Sequence, residues 1–332
     1  MENVAKKRML SGIKPTGKLT LGNYIGAIKQ FNTYHEEYEM FVFIADLHSL
    51  TLPIDPKELR QNTKDLISIY LACGLDPEKV VLFKQSDVHE HAELGYIMAC
   101  NSNMGELSRM TQYKDKTAKL NSNESIPTGI YIYPTLMAAD ILLYDPDYIP
   151  VGIDQKQHVE LTRDLAIRFN SRYSDTFKVV EPVTAKTGAK INSLANPEKK
   201  MSKSESDKGT IYLLEDLAIT RKKIMSAVTD SDTRIVFDME NKPGISNLLT
   251  IMSALTNESV EDIAARYNGL GYGTFKKAVA DVVCKELEAL QNKVKEIQAS
   301  GIIDKVLEDG ANKASYYARK KLSKVYRKVG LR

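Results

Sequence analysis

Arg8–Ala27, RMLSGIKPTGKLTLGNYIGA, decides the fold class. Met9 and Leu10 sit in a short strand, Pro15 and Gly17 turn the chain, and a helix opens near Thr20. A helix N-terminus offers free N–H groups and the positive end of a dipole, which suits phosphate. Glycines such as Gly22 and Gly26 would let a nucleotide lie against the backbone. Gly12–Lys18 also matches the GxxxxGK of a P-loop, but Leu19 follows where Ser or Thr would bind magnesium. Pro15 would interrupt the cradle of N–H donors as well, so the P-loop reading is set aside.

Working outward, Met40–Ala45 is a continuous apolar run of the kind that forms a buried parallel strand. Asp46, Leu47 and His48 follow at its carboxyl end, where ligands gather in such sheets, so His48 has both a structural and a functional reading. Pro56–Cys73 reads as a helix capped by Asp55 and stopped by Gly74, and Val80–Phe83 as another short buried strand. Alternating strands and helices predict an α/β chain with a doubly wound, parallel, Rossmann-like nucleotide-binding sheet. His89–Lys119 reads as helical on Leu94, Ile97 and Met98. Tyr148–Gly152 is a further short strand, and Asp154 begins a long amphipathic helix. Asp154 is either an N-cap or a carboxylate placed to hold ribose hydroxyls. From Ile211 onward only helical patterns remain, which predicts an α/β unit over 1–210 and an all-helical unit over 211–332.

Three places carry unusual chemistry. Between Glu124 and Asp145 the one charge is Asp140, within YIYPTLMAADILLY from Tyr131 to Tyr144. A helix after Pro134 would put Met137, Asp140 and Ile141 on one face. A buried carboxylate is costly unless paired, so Asp140 is either a satisfied structural group or an acceptor at the bottom of an apolar ligand pocket. Lys200-Met201-Ser202-Lys203-Ser204 lies in a polar run over 196–209 that reads as a mobile loop. Its lysines and hydroxyls suit phosphate, although lysine-rich loops are commonly just solvated. Lys313–Arg332 holds eight basic residues and no acidic one, with Tyr316, Tyr317 and Tyr326 interleaved. Such a helix can meet phosphates and stack on bases, or be a solvated face.

Composition sets the bounds. The 332 residues are 43% hydrophobic with a net charge of +3, which permits a large core and a local basic patch without demanding nucleic acid. Cys73, Cys100 and Cys284 lie far apart, so neither a disulfide framework nor a zinc site is indicated. No apolar run approaches the roughly 20 residues that span a bilayer, and a cytoplasmic protein is expected. No nucleophile-and-base constellation supports a hydrolase.

Pro15–Asn23 resembles the first signature of class I aminoacyl-tRNA synthetases, with Thr20 and Asn23 in the histidine positions, and Lys200–Ser204 resembles their second. With RMTQYKDK, YPTLMAADILLY, DQKQHVELTRDLA and KPGISNLL, the likeness runs from Ser11 to Gly330 and is to tryptophanyl-tRNA synthetases of the bacterial type. The resemblance implies that Pro15, Thr16, Gly22 and Asn23 hold ATP, that Gly152 and Asp154 hold its ribose, and that Ile191 and Met201 flank adenine. Lys116, Lys200, Ser202, Lys203 and Ser204 would face the phosphates, and Lys116, Lys200, Ser202, Lys203, Thr20 and Asn23 would carry the chemistry. His48, Tyr133, Met137, Ile141 and Gln155 would line the amino-acid pocket, with Asp140 at its end. Lys14 and Ile153 stand where the family usually has glutamine and glutamate, so their nucleotide contacts are its weakest implication. The implied reaction makes tryptophanyl-adenylate from L-tryptophan and ATP, which brings Mg2+ with it, and passes the amino acid to tRNA(Trp), with no resident metal. The resemblance also implies a homodimer formed through a helical insertion over about 85–130, and anticodon binding by 211–332. A tyrosyl-type enzyme shares fold and loop, while an inactive synthetase-like RNA-binding protein should lack the phosphate lysines.

Overall fold

The computed structural model describes residues 6–118, 125–152, 155–181, 183–184, 189–203 and 207–332, without the side chains of 30, 32, 33, 116, 183 and 184. Strands β1 (Lys7–Ile13), β2 (Tyr38–Ile44) and β3 (Val80–Lys84) form a parallel sheet with β2 in the middle. Its register pairs Leu10 with Phe41 and Phe41 with Val81. Met40 through Ile44 are all buried, as a strand covered on both faces must be. On the other side of β1, Tyr148 pairs in parallel with Met9 and leads into β4 (Pro150–Val151), which pairs with β5 (Val183–Thr184). The spatial order β3-β2-β1-β4-β5 therefore reverses direction between β1 and β4. In open α/β sheets, the crevice at the carboxyl ends of two such strands is where ligands bind.

Alternate residues of each strand face opposite cores. Met9, Met40, Val42, Ile44, Val80 and Leu82 point to one cluster, and Leu10, Phe41, Phe43 and Phe83 to the other. The first is covered by α1 (Leu21–Asn23), which runs through a π-helical turn at Tyr24–Ile28 into α2 (Lys29–Glu37), and by α3 (Pro56–Ala72). Asp55 Oδ1 caps α3 by accepting from Lys57 N–H at 2.8 Å and Glu58 N–H at 3.0 Å, and Gly74 ends the helix at φ +93°. The second cluster is covered from the segment after β3, which is three helices: α4 (Glu90–Asn101), α5 (Met104–Ser108) and α6 (Thr111–Ala118). The long reading over His89–Lys119 breaks where Asn103 and Glu106 form a capping box that starts a new helix.

The helix bearing Asp140, α7 (Thr128–Leu142), begins earlier than the sequence predicts, with Pro134 inside it. A proline there removes one N–H donor, but Ile130, Tyr133, Thr135 and Ala138–Leu142 are buried along its length, and that packing holds the helix through the break. It is followed by α8 (Lys156–Tyr173), whose first residue lies two past the expected start at Asp154.

Helices α9 (Leu217–Met225), α10 (Pro243–Thr256), α11 (Val260–Tyr267), α12 (Gly271–Ser300) and α13 (Ile302–Val329) complete the chain. They are woven into the sheet's own cores. In α13, Ile303, Val306 and Leu307 join the first cluster, while Ala314, Ala318, Leu322 and Val325 join the second, so the helix wraps the β3 edge. Gly310 makes this possible, because a Cβ there would lie 1.8 Å from the Leu82 carbonyl oxygen. The basic face of α13 is partly spoken for as well. Tyr317 packs edge-on against Phe41 beneath the Arg8 guanidinium, the Tyr326 hydroxyl donates to Glu93, and Lys321 pairs with Asp145 at 2.5 Å. Of the interleaved tyrosines, Tyr316 is the exposed one. Among the described residues, no helix is long and apolar enough to cross a membrane.

Candidate active site

The reversal between β1 and β4 opens a cavity of about 470 Å³. It is lined by Gly12, Phe43 and Ala45 from the strand ends, by His48 just beyond β2, by Tyr133, Met137, Asp140 and Ile141 on α7, and by Gly152 and Gln155 beside β4. Lys14 and Gln112 line it as well. The structure thus brings together every residue the sequence put in an amino-acid pocket. Its walls are largely apolar or aromatic. The Tyr133 hydroxyl sits 2.7 Å from His158 Nε2 and closes one side.

Asp140 is 1% exposed, and its carboxylate is held more fully than the sequence suggested. Gln85 Nε2 donates to Oδ1 at 2.7 Å, His91 Nδ1 lies 2.6 Å from the same oxygen, and His48 Nε2 lies 2.8 Å from Oδ2. Burial alone would raise the carboxyl pKa, but the hydrogen bonds from His48 and His91 outweigh it and hold the group at about 2. Asp140 is therefore an ionised acceptor with protein donors on both oxygens, and it also lines the cavity, so the two readings of the sequence are not exclusive. Gln85 and His91 escaped the sequence reading. Gln85 directly follows β3, a strand-end position like that of His48, and this was the available signal. His91 sits on a helix of weak periodicity and gave none.

The second group of residues surrounds the turn after β1. Thr20 is fully buried and caps α1: its Oγ1 accepts from Asn23 N–H at 3.2 Å, while Asn23 Oδ1 accepts from Thr20 N–H at 3.1 Å. These two polar side chains hold the helix N-terminus in shape rather than standing free before it. Met201 is fully buried against that N-terminus, and a Cβ on Gly22 would lie 2.9 Å from the Met201 carbonyl oxygen. Ile191 is buried beside it, with its carbonyl accepting from Met201 N–H at 2.9 Å. Lys203 crosses the front of Gly17, which has φ +70°, and its Nζ donates to the Lys14 carbonyl at 3.4 Å. Burial lowers the pKa of that ammonium, and 3.4 Å is a long contact with which to offset the desolvation. Lys14 also lines a second cavity of about 440 Å³ behind the turn, with Pro15, Gly17 and Lys203. Thr16 and Ser202 are half-buried and Lys200 is exposed. The Lys116 side chain, Ile153, Asp154 and Ser204 lie outside the described residues.

The base of this lysine loop is joined by backbone hydrogen bonds. Ser193 N–H donates to the Lys199 carbonyl at 2.8 Å and Leu194 N–H to the Gly209 carbonyl at 3.1 Å. Asn247 on α10 then clamps the base from outside: its Oδ1 accepts from Asn192 N–H at 2.8 Å and its Nδ2 donates to the Asn192 carbonyl at 2.9 Å. The KPGISNLL stretch thereby acquires a physical task that its sequence alone did not disclose.

Comparison with known proteins agrees with this geometry. The family described as tRNA synthetases class I (W and Y) matches residues 2–288. A tryptophan–tRNA ligase from Malacoplasma penetrans (strain HF-2) is 51% identical over 329 residues, covering 98% of each chain. The crystal structure of a tryptophanyl-tRNA synthetase from Mycoplasma pneumoniae matches with a TM-score of 0.85 at 42% identity, over 98% of each chain. That of the Campylobacter jejuni enzyme, complexed with ADP and tryptophan, matches with a TM-score of 0.86 at 37% identity, over 97% of this chain and 99% of that one. Family match, identity, fold similarity and near-complete coverage agree: the chain belongs to the tryptophan–tRNA ligases, within the class I tRNA synthetases.

Proposed function

We propose that this protein activates L-tryptophan with ATP and transfers it to tRNA(Trp). The observation that carries the reading is the cavity at the β1/β4 reversal, an apolar chamber ending on one ionised carboxylate. An indole presents a large apolar body and a single N–H donor, so it needs apolar walls and one buried acceptor. Met137, Ile141 and Tyr133 supply the walls, and Asp140 the acceptor.

Chemistry occurs where this chamber meets the turn after β1. The tryptophan carboxylate attacks the α-phosphate of MgATP, a carboxyl oxygen–phosphorus bond forms, and the bond to the bridging oxygen breaks as pyrophosphate leaves. No protein nucleophile is required, so the chain's work is orientation and neutralisation of charge gathering on the pyrophosphate. Lys200, Ser202 and Lys203 neutralise that charge from the loop, together with Lys116, Thr16 and Lys14. Pro15, Gly22, Asn23, Gly152, Ile153 and Asp154 hold the nucleoside, between Ile191 and Met201, and Ser204 completes the loop. Lys203, whose hydrogen bond among the described residues is a long one to the Lys14 carbonyl, exchanges that contact for a phosphate when the loop closes.

The division of labour follows the same reading. Residues 1–210 carry activation, the segment over about 85–130 forms the contact of a cytoplasmic homodimer, and 211–332 meets the tRNA anticodon. ATP–pyrophosphate exchange measured with each of the twenty amino acids tests the substrate: tryptophan alone should support it, and exchange driven by tyrosine instead would overturn the reading.

A further inference from the structure

The partners of the two Asp140 oxygens differ in kind. His48, which holds Oδ2, lines the cavity. Gln85 and His91, which hold Oδ1, do not line it and are fully buried. His91 is boxed by Phe43, Phe83 and Tyr144, with ring centroids 5.7, 5.9 and 5.5 Å away. Its Nε2 lies 2.8 Å from the Tyr144 hydroxyl, itself 1% exposed. If His91 were doubly protonated it would donate to that hydroxyl, and the phenolic proton would lose Nε2, the hydroxyl's hydrogen-bond partner among the described residues. A buried donor left unmatched costs roughly 1–3 kcal/mol. The phenol therefore donates to Nε2, which fixes the neutral tautomer carrying its proton on Nδ1 and makes His91 a donor to Asp140. With Gln85 beside it, Oδ1 accepts from two buried groups, which is its capacity.

We propose that Gln85, His91 and Tyr144 are positioning residues that saturate Asp140 Oδ1, so that Oδ2 alone is left for the indole N–H and the amino-acid preference is set one layer behind the pocket wall. The inference rests on the tryptophan reading above. Without these donors the carboxylate is free to swing, and the oxygen offered to the ligand is no longer fixed in place. The relay is also closed at its far end, because a phenol, unlike a carboxylate or an imidazole, stays neutral across the working pH range.

The test compares tryptophan with 3-benzothienylalanine, in which sulfur replaces the indole N–H at nearly constant shape. ATP–pyrophosphate exchange gives kcat/KM for each. A hydrogen bond to a charged acceptor predicts that the parent prefers tryptophan by about 100-fold. His91→Leu should narrow this ratio to about 10-fold and Gln85→Met should narrow it less, both with the KM for ATP unchanged. His91→Asn, whose amide can take the place of Nδ1–H, should keep most of the preference. Tyr144→Phe is nearly isosteric and serves if His91→Leu does not fold; it should narrow the ratio about threefold. A purely structural histidine would lower both substrates together. Folded variants that discriminate as sharply as the parent would overturn the relay and leave the tryptophan reading intact. A parent that fails to discriminate at all would remove Asp140 as the indole acceptor, and the relay with it.

Discussion

The amino-acid pocket and the lysine loop are built on opposite principles. Around Asp140, the carboxylate's protein contacts are short and preformed, with donors at 2.6–2.8 Å on both oxygens. At the loop, the backbone base is fixed by Asn192, Asn247 and Met201, but among the described residues the charge it presents is weakly matched: Lys203 donates to one carbonyl at 3.4 Å, and Lys200 is exposed. A site that must recognise one neutral side chain gains from a rigid, preorganised acceptor, whereas a site that must stabilise charge appearing during reaction gains from cations not already neutralised. The pocket should therefore be costly to mutate in stability and binding, and the loop in rate alone.

The sharpest way to break this contrast is Asp140→Ala. It leaves the donors of His48, Gln85 and His91 without their shared acceptor, and removing one partner from a buried charge network typically costs about 3–5 kcal/mol. Urea unfolding should show that loss, and exchange kinetics should show kcat/KM for tryptophan reduced about 1,000-fold with ATP affinity kept. Because Asp140 already has protein donors, phenylalanine does not leave it bare, and the indole bond itself accounts for about 10- to 150-fold of the preference.

Lys203→Ala comes next. Rapid-quench measurement of adenylate formation should fall about 100-fold, with stability unchanged, since among the described residues the lost side chain makes one long hydrogen bond. A parallel fall in tryptophan affinity would show that loop and pocket are one site. Asn247→Ala should fall between the two regions. It leaves the Asn192 N–H and carbonyl unmet and loosens the loop base, so exchange should drop about tenfold and stability by about 1–3 kcal/mol, with tryptophan affinity kept. Equal loss of binding and rate would break the separation.

The smallest effect is the acid response of Asp140. Its folded pKa is depressed from 3.8 to about 2, so the stability it contributes is present above the unfolded value and lost as pH falls through the folded one. That is about 2 kcal/mol in total. The stability gap between the parent and Asp140→Asn should be constant above pH 4 and shrink between pH 4 and 2; a gap that widened on acidification would mean that Asp140 is held protonated.

How much of this was legible in the sequence follows the range of the interactions. Apolar runs at β1, β2 and β3, the Asp55 cap and the Gly74 stop are local signals, and each element forms where those residues say. Asp140 stood out because it is a lone charge in an apolar run, which any single sequence can reveal. Its partners could not be read, since Gln85 and His91 reach it across 55 and 49 residues of chain. The start of α7 was misplaced because proline is a local stop signal and tertiary burial overrode it. Likewise the basic stripe of α13 looked free, and only the fold shows Tyr317, Lys321 and Tyr326 turned toward β2, Asp145 and α4.

The central claim is that recognition resides at Asp140 and rate at Lys203, and binding of the amino acid alone tests it most directly. The chain contains no tryptophan, so the ligand is the only indole present and the change in its fluorescence on binding can be titrated without an indole background from the protein. The account predicts that Lys203→Ala binds tryptophan as the parent does, while Asp140→Ala, still folded, binds it at least about 10-fold more weakly. Parent-like affinity in Asp140→Ala, or lost affinity in Lys203→Ala, would contradict it.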